Sequence, residues 1–270
     1  MLSIMIVFEN GISIQLKLCI VVFTLINIEH NNMINILNES SLHKTLKSYY
    51  SLQNEGSHTE VPQGPYIADI RTKDGSIIEI QTANLAHLRD KIQYCINEGI
   101  RIKVVYSLVT TKYIQTISSS DKTESKRKSP LHKNIYSIFK ELTALYGFLL
   151  NKLFTLEVIE ITMTEIRQTT QQPVQSDNKR RRFKKNWLKT GKKLEEIGKI
   201  HTFKNKKDYL KLLPTELPQE FTVKDLQKAL TNTGIKATEQ FVRCMIWVFC
   251  KAELLEHCGT LKRSHLYRVL

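Results

Sequence analysis

The sequence predicts an α/β protein, and three observations carry that reading. Two β-prone runs, 66–72 and 76–82, flank an Asp-Gly turn, a strong local signal for a hairpin. A helix-patterned stretch of about 14 residues then separates the hairpin from the β-branched run 100–106, which makes a parallel crossover. The C-terminal part reads helix, turn, helix and a short hairpin. The expected order is α-β-β-β-α-β around a mixed sheet, followed by a small helical domain.

Taken in order, Ser40 and Ser41 precede Leu42, Leu46, Tyr49, Tyr50 and Leu52, spaced as one face of an N-capped helix. An extended stretch over 57–61 ends at Pro62-Gln63-Gly64-Pro65. After the hairpin, Asn84 stands where a second helix would be capped. Leu85, Leu88, Ile92, Cys95 and Ile96 form its stripe, up to Gly99. Residues 100–106 have the apolar, β-branched character of a buried strand. Residues 131–153 read as one helix, with Ile135, Ile138, Phe139, Leu142 and Leu145 on its stripe, and 156–166 as an added strand. The polar, aperiodic run 169–178 marks a linker. The division is therefore an apolar extension (1–33), a first domain (34–170), a linker with a basic segment (171–212) and a C-terminal domain (213–270).

The hairpin carries the chemistry. If Lys73-Asp74-Gly75 is a three-residue loop, Gly75 supplies the left-handed conformation it needs. Thr72 then faces Ser76, Asp69 faces Glu79 and Ile67 faces Gln81. Alternation puts Asp69, Glu79 and Gln81 on one face and Ala68, Ile70, Ile78 and Ile80 on the other. Directly opposed Cβ atoms lie about 4.5–5.5 Å apart. Two carboxylates that close repel, so one should hold a proton unless a cation lies between them. A hard divalent cation with oxygen ligands would relieve the repulsion. On this reading, removing either acid should not lower the melting temperature. The bland alternative is a solvated outer face with no chemistry.

Asp69 on the second strand and Glu79-Ile80-Gln81 on the third, inside the order α-β-β-β-α-β, resemble the PD-(D/E)XK nuclease superfamily over roughly residues 40–108. Ala68-Asp69 stands where that pattern has Pro-Asp, Glu79 matches its second acid, and Gln81 stands in for its Lys. The resemblance implies phosphodiester hydrolysis, with Asp69, Glu79 and Gln81 as catalytic residues. It implies that Asp69, Glu79 and the Ile80 carbonyl hold Mg²⁺ or Mn²⁺, without a small-molecule cofactor. Lys91 or Lys103 would supply the cation that Gln81 does not, and Glu60 is a candidate extra acid. The same Glu79-Ile80-Gln81-Thr82 run, with Leu42-His43-Lys44, also resembles an uncharacterised bacterial family.

Net charge is +14, and residues 179–211 hold nearly all of the excess, with 14 Lys and Arg against Glu195, Glu196 and Asp208. Arg180, Arg181, Arg182, Lys184 and Lys185, with Phe183 and Trp187 among them, suit a phosphate backbone. Lys126-Arg127-Lys128 is a smaller basic cluster that the same duplex could touch. Acidic proteins and anionic membranes also attract such runs, and a solvated linker is the bland reading.

Over 213–270, the two helices and the basic hairpin resemble a winged helix. That resemblance makes Lys236 and Arg243 of the second helix, and Lys262 and Arg263 of the wing, candidates for DNA contact. Five cysteines (19, 95, 244, 250 and 258) lack CxxC spacing, and with His257 and His265 they fit no common zinc site, so buried thiols are expected. Residues 18–28 are the strongly apolar run, too short to span a bilayer comfortably and without the features of a signal peptide. Met33 is a candidate natural start. The leading expectation is a cytoplasmic, Mg²⁺-dependent DNA endonuclease of restriction or defence type, away from membranes, and compatible with a homodimer. The competing one is an inactive DNA-binding or regulatory protein that keeps the nuclease fold as scaffold.

Overall fold

The computed structural model describes residues 41–118, 123–176 and 179–270, all within one compact unit. The apolar run 18–28 and the candidate start at Met33 lie outside the described residues.

The chain forms a mixed α/β structure around a seven-stranded sheet. Helix α1 (Ser41–Gln53) is followed by β1 (His58–Gln63), β2 (Tyr66–Arg71) and β3 (Ile77–Gln81). A 3₁₀ turn (Leu85–Leu88) leads into α2 (Arg89–Asn97), then β4 (Ile102–Ile117) and β5 (Thr123–Lys128). Short helical turns surround α3 (Phe139–Leu142), and β6 (Phe154–Val174), β7 (Lys185–Phe203) and α4 (Lys206–Leu210) complete the larger part. Then come α5 (Val223–Asn232), α6 (Glu239–Lys251) and the hairpin β8 (Leu255–Leu261) and β9 (Ser264–Val269). The sheet runs β1-β2-β3-β4-β6-β7, with β5 added to β4. β3, β4 and β6 are parallel, and the other pairs are antiparallel.

The expected order α-β-β-β-α-β is present, and the hairpin register is the expected one. Ile70 pairs with Ile78 and Arg71 with Ile77, while the Thr72 amide donates to the Ser76 carbonyl at 2.9 Å. Gly75 closes the turn at φ 82°, a conformation glycine reaches without steric cost. At the β1–β2 turn, Gly64 (φ 56°) is required twice over, because a Cβ there would lie 2.1 Å from the Tyr94 hydroxyl.

The sheet is covered on both faces. α1 lays Leu42, Leu46 and Tyr50 onto Ile70, Ile78, Ile80, Val105, Ile159 and Ile161. The other face packs α2, the 135–149 segment, α5 and α6 in one continuous apolar core. That core corrects the expected division of the chain. Phe139 meets Phe249 at 5.1 Å between ring centroids, and Phe203 stacks on Tyr209 at 5.0 Å, so the C-terminal helices and the sheet share an interior. Nor is 171–212 a linker: β6 continues to Val174, and 185–203 is a strand paired to it. The expected helix over 131–153 is broken into short turns. Its stripe is nonetheless buried, because Ile138, Phe139, Leu142 and Leu145 face the core in either conformation. Among the described residues, no helix is long and apolar enough to cross a membrane.

Candidate functional site

Asp69 and Glu79 meet where β2 and β3 part. The β2–β3 ladder ends at Ile70 and Ile78, and beyond it side chains replace the missing backbone partners. The Asp69 amide donates to Glu79 Oε1 at 3.1 Å, and the Ile80 amide donates to Asp69 Oδ2 at 2.8 Å. Each carboxylate is thus fixed by an amide of the other's strand. The alternation expected for β2 breaks here, since Ala68 is buried on the α2 side and Ile70 on the α1 side. Across β1 the backbone is also distorted: Glu60 sits at φ 55°, between the pairs Thr59–Ile70 and Val61–Ala68. A left-handed conformation in a side-chain-bearing residue costs on the order of 1–3 kcal/mol and clusters at functional sites.

Two lysines and a histidine surround the acids. From α2, Lys91 Nζ lies 2.5 Å from Glu79 Oε1 and donates to the Ile67 carbonyl at 2.6 Å. From α1, Lys47 Nζ lies 3.1 Å from Glu60 Oε1 and 3.6 Å from Asp69 Oδ1. One turn earlier, His43 Nε2 is 2.8 Å from the Ile80 carbonyl and 3.3 Å from Asp69 Oδ2. A carbonyl only accepts, so Nε2 carries the proton in this contact.

The two acids are driven apart in pKa. Burial pushes Glu79 up, and the Asp69 charge adds to it, against the pull of Lys91. Burial pushes Asp69 in the same direction, but hydrogen bonds from His43 and the Ile80 amide, with the charges of His43 and Lys47, bring it below the usual carboxylate range. Of the two acids, Glu79 is thus the one moved up and Asp69 the one moved down.

The other sequence candidates are placed as follows. Gln81 donates its amide to the Asn84 carbonyl at 3.1 Å, bracing the turn after β3. Lys103 is turned to Glu157 at 3.6 Å and lines a groove with Thr72, Asp74 and Arg101. Of the two lysines, only Lys91 reaches an acid of the hairpin. The sequence reading gave neither His43 nor Lys47 a role at the site, although their i, i+4 spacing beside Leu42 and Leu46 was a usable signal.

The donor set is two carboxylates and a carbonyl, hard oxygens that suit Mg²⁺ or Mn²⁺. His43 Nε2 touches both Asp69 Oδ2 and the Ile80 carbonyl, so those oxygens converge on one point, where the imidazole N–H stands in for a cation. Among the described residues, no group of three or more His, Cys, Asp or Glu side chains could hold a metal ion. A cation here would rest on Asp69, the Ile80 carbonyl and water, with Glu79, held by the Asp69 amide and Lys91, as the second acid.

The basic candidates fall in two regions. Arg180, Arg182 and Lys184 are exposed in the segment before β7, and Lys185 opens that strand. Arg181 lies over Trp187, 3.7 Å from the ring centroid, and donates to its carbonyl at 2.9 Å. In the C-terminal part, Lys236 precedes α6, Arg243 is bound to Glu239 at 2.6 Å, and Lys262 and Arg263 form the exposed β8–β9 turn. Cys95 is buried, whereas Cys244, Cys250 and Cys258 are half-buried, and all four are free thiols.

Residues 40–204, from the start of α1 to the end of β7, match the family described as a domain of unknown function, DUF8091. The chain is 30% identical over 202 residues to an uncharacterized protein of Treponema pallidum (strain Nichols), covering 75% of this chain and 76% of that protein. No solved structure matches it. With its seven-stranded sheet and its hairpin acids inside the matched region, the chain belongs to the DUF8091 family.

Proposed function

We propose that the Asp69–Glu79 centre hydrolyses DNA phosphodiesters with a divalent cation, in a nuclease of the PD-(D/E)XK type carrying a winged-helix-like C-terminal part. The observation that carries this reading is the pair of neighbouring acids, each gripped by the other strand's amide, with Asp69 Oδ2 and the Ile80 carbonyl meeting at His43 Nε2. Asp69, Glu79 and that carbonyl would hold Mg²⁺ or Mn²⁺, which when bound supplies an activated water and neutralises charge on the phosphorane. Lys91 provides the positive charge beside Glu79 that Gln81 does not. Burial of both partners keeps that charge from being screened by water. His43 and Lys47 hold Asp69 ionised, as a cation ligand must be.

A second reading has its own support. His43 and Lys91 already occupy the acids, and Gln81 is committed to Asn84, as in a scaffold that keeps the fold without the reaction. Supercoiled plasmid separates the two. Nicking or linearisation with Mg²⁺ or Mn²⁺ that is absent with EDTA, and lost in Asp69→Asn, is the outcome expected of the nuclease. Binding without cleavage under every divalent metal would leave the scaffold.

A further inference from the structure

Beyond the shared core, β4, β5, β6 and β7 continue as a four-stranded arm, and their register decides which side chains share a face. Met163 and Leu194 pair with each other and belong to the core under α1, which fixes that face. Beside Met163 lies Lys112. The next row across the arm is Arg127, Ile114, Glu165 and Lys192, and the one after it is Ser125, Thr116, Arg167 and Lys189. Rows are about 6.8 Å apart and strands about 4.8 Å. Lys112, Arg127, Arg167, Lys189 and Lys192 therefore share one face, with Glu165 among them. Glu165 is 2.7 Å from Lys112, 2.7 Å from Arg167 and 3.4 Å from Lys189, while Glu124 reaches Thr169 at 3.3 Å near the tip. The reverse face has fewer unopposed cations: Lys126 pairs with Glu195 at 3.6 Å, and Tyr113, Lys128 and Glu196 line the same groove, with Lys193 beside them.

We propose that the α1-side face of this arm seats the phosphate backbone of a nucleic-acid duplex. The proposal deepens the hydrolase reading by naming the surface that would hold its substrate, and it rests on that reading for the type of polyanion. Charge complementarity is the first argument, since an array of cations outnumbering its acids fits a repeating anion. The second is what the face lacks among the described residues. Protein partners seat aromatic anchors in a desolvated centre, and single strands stack bases on open rings. Trp187 offers neither, because Arg167 and Arg181 lie 3.8 and 3.7 Å from its centroid. Two guanidiniums that close cannot share one side of a ring, so both of its faces are covered. Phe183, exposed, lies in the segment before β7 and off these rows.

The test uses the full chain and a labelled duplex read by fluorescence anisotropy in EDTA, so that cleavage plays no part. Two triple variants remove equal charge: Arg127→Gln/Lys189→Gln/Lys192→Gln from the α1 side, and Lys126→Gln/Lys128→Gln/Lys193→Gln from elsewhere on the arm. Lys112 and Arg167 are kept because they are the partners nearest Glu165, each at 2.7 Å, whereas Lys189 stands further off at 3.4 Å. The first triple is expected to weaken binding roughly tenfold or more, and to flatten the slope of log K on log salt by up to about 0.9 per lost contact. The second should stay within about twofold of wild type, on the same principle. Arg127→Glu alone, at an exposed position, should weaken binding in the same direction and guards against misfolding of the triple. Equal losses from both triples, no loss from the first, or tighter binding of single strands or polyglutamate than of duplex would overturn the proposal. An inert acid centre in Mg²⁺ would sink the hydrolase reading and leave this result as measured.

Discussion

Glu79 sits between burial, which favours its neutral form, and Lys91, which favours the charged one. Removing the acid does not simply relieve repulsion, because Lys91 is itself buried and would be left facing the Ile67 carbonyl alone. Glu79→Ala should therefore destabilise by about 3–5 kcal/mol, the usual consequence of stranding one partner of a buried pair. Urea unfolding in EDTA measures it, and Glu79→Ala/Lys91→Met should recover most of the loss. Asp69→Ala should lose less, about 1–2 kcal/mol, since Lys47 keeps Glu60 and His43 keeps the Ile80 carbonyl. Both outcomes differ from the sequence expectation that neither variant melts lower. The nearness of the two acids was legible because loop length sets the hairpin register. Their expected shared face was not borne out, because β2 breaks its alternation at Asp69 and takes its partners from α1, while Glu79 takes Lys91 from α2. Lys91 was not legible, because the rotation of α2 against the sheet is a tertiary fact. The same geometry redistributes the catalytic expectation. With its amide on Asn84, Gln81→Ala should keep single-turnover cleavage within a few-fold of wild type. Lys91→Gln should slow it roughly 10²-fold or more, by removing charge aimed at the reacting centre. The reverse order of losses would return Gln81 to the centre of the mechanism.

The arm illustrates what sequence pattern hides at the level of elements. β6 was expected to stop at 166 and the basic run to be a linker, because neither stretch alternates apolar with polar. A strand solvated on both faces has no such alternation to show. What holds the arm instead is cross-strand pairing, and Glu165 is its most connected group, bound by Lys112, Arg167 and Lys189. Burial pushes the Glu165 carboxyl up, but hydrogen bonds from Lys112 and Arg167 and the charges of Lys189 and Lys112 win and bring it down to about 2. A folded pKa below the ordinary 4.5 means that the unfolded chain takes up the proton first. The contribution is complete above about pH 4.5 and is lost as pH falls towards about 2. Wild type should thus exceed Glu165→Gln in unfolding free energy at neutral pH, with the gap closing across that window. Equal gaps at pH 7 and at the acid end would show that these contacts contribute nothing through charge.

At the scale of the whole molecule, the family match ends at residue 204, just past β7, while the physical unit does not. The core against the α2 face of the sheet is built from both sides of that boundary. Phe139, Leu142 and Leu156 lie in it together with Leu226, Leu230, Met245 and Phe249. Cutting after Phe203 would expose the rings of Phe139 and Phe203, which now rest on Phe249 and Tyr209. Each large side chain opened to water in this way forfeits about 1.5–3 kcal/mol, and folded domains hold only about 5–15 kcal/mol in total. A fragment of residues 40–204 should therefore fail to melt cooperatively, binding a hydrophobic dye where the full chain does not. The linker expected from the sequence gives the opposite result, a fragment that folds alone with an unchanged melting temperature. Supplying 205–270 as a separate polypeptide offers the sharper comparison. If the shared core is what the fragment lacks, mixing the two should restore a cooperative transition whose midpoint rises with concentration, because folding is then coupled to association. Substituting Phe249→Ala in the added piece should weaken that rescue, since the substitution removes the ring that covers Phe139.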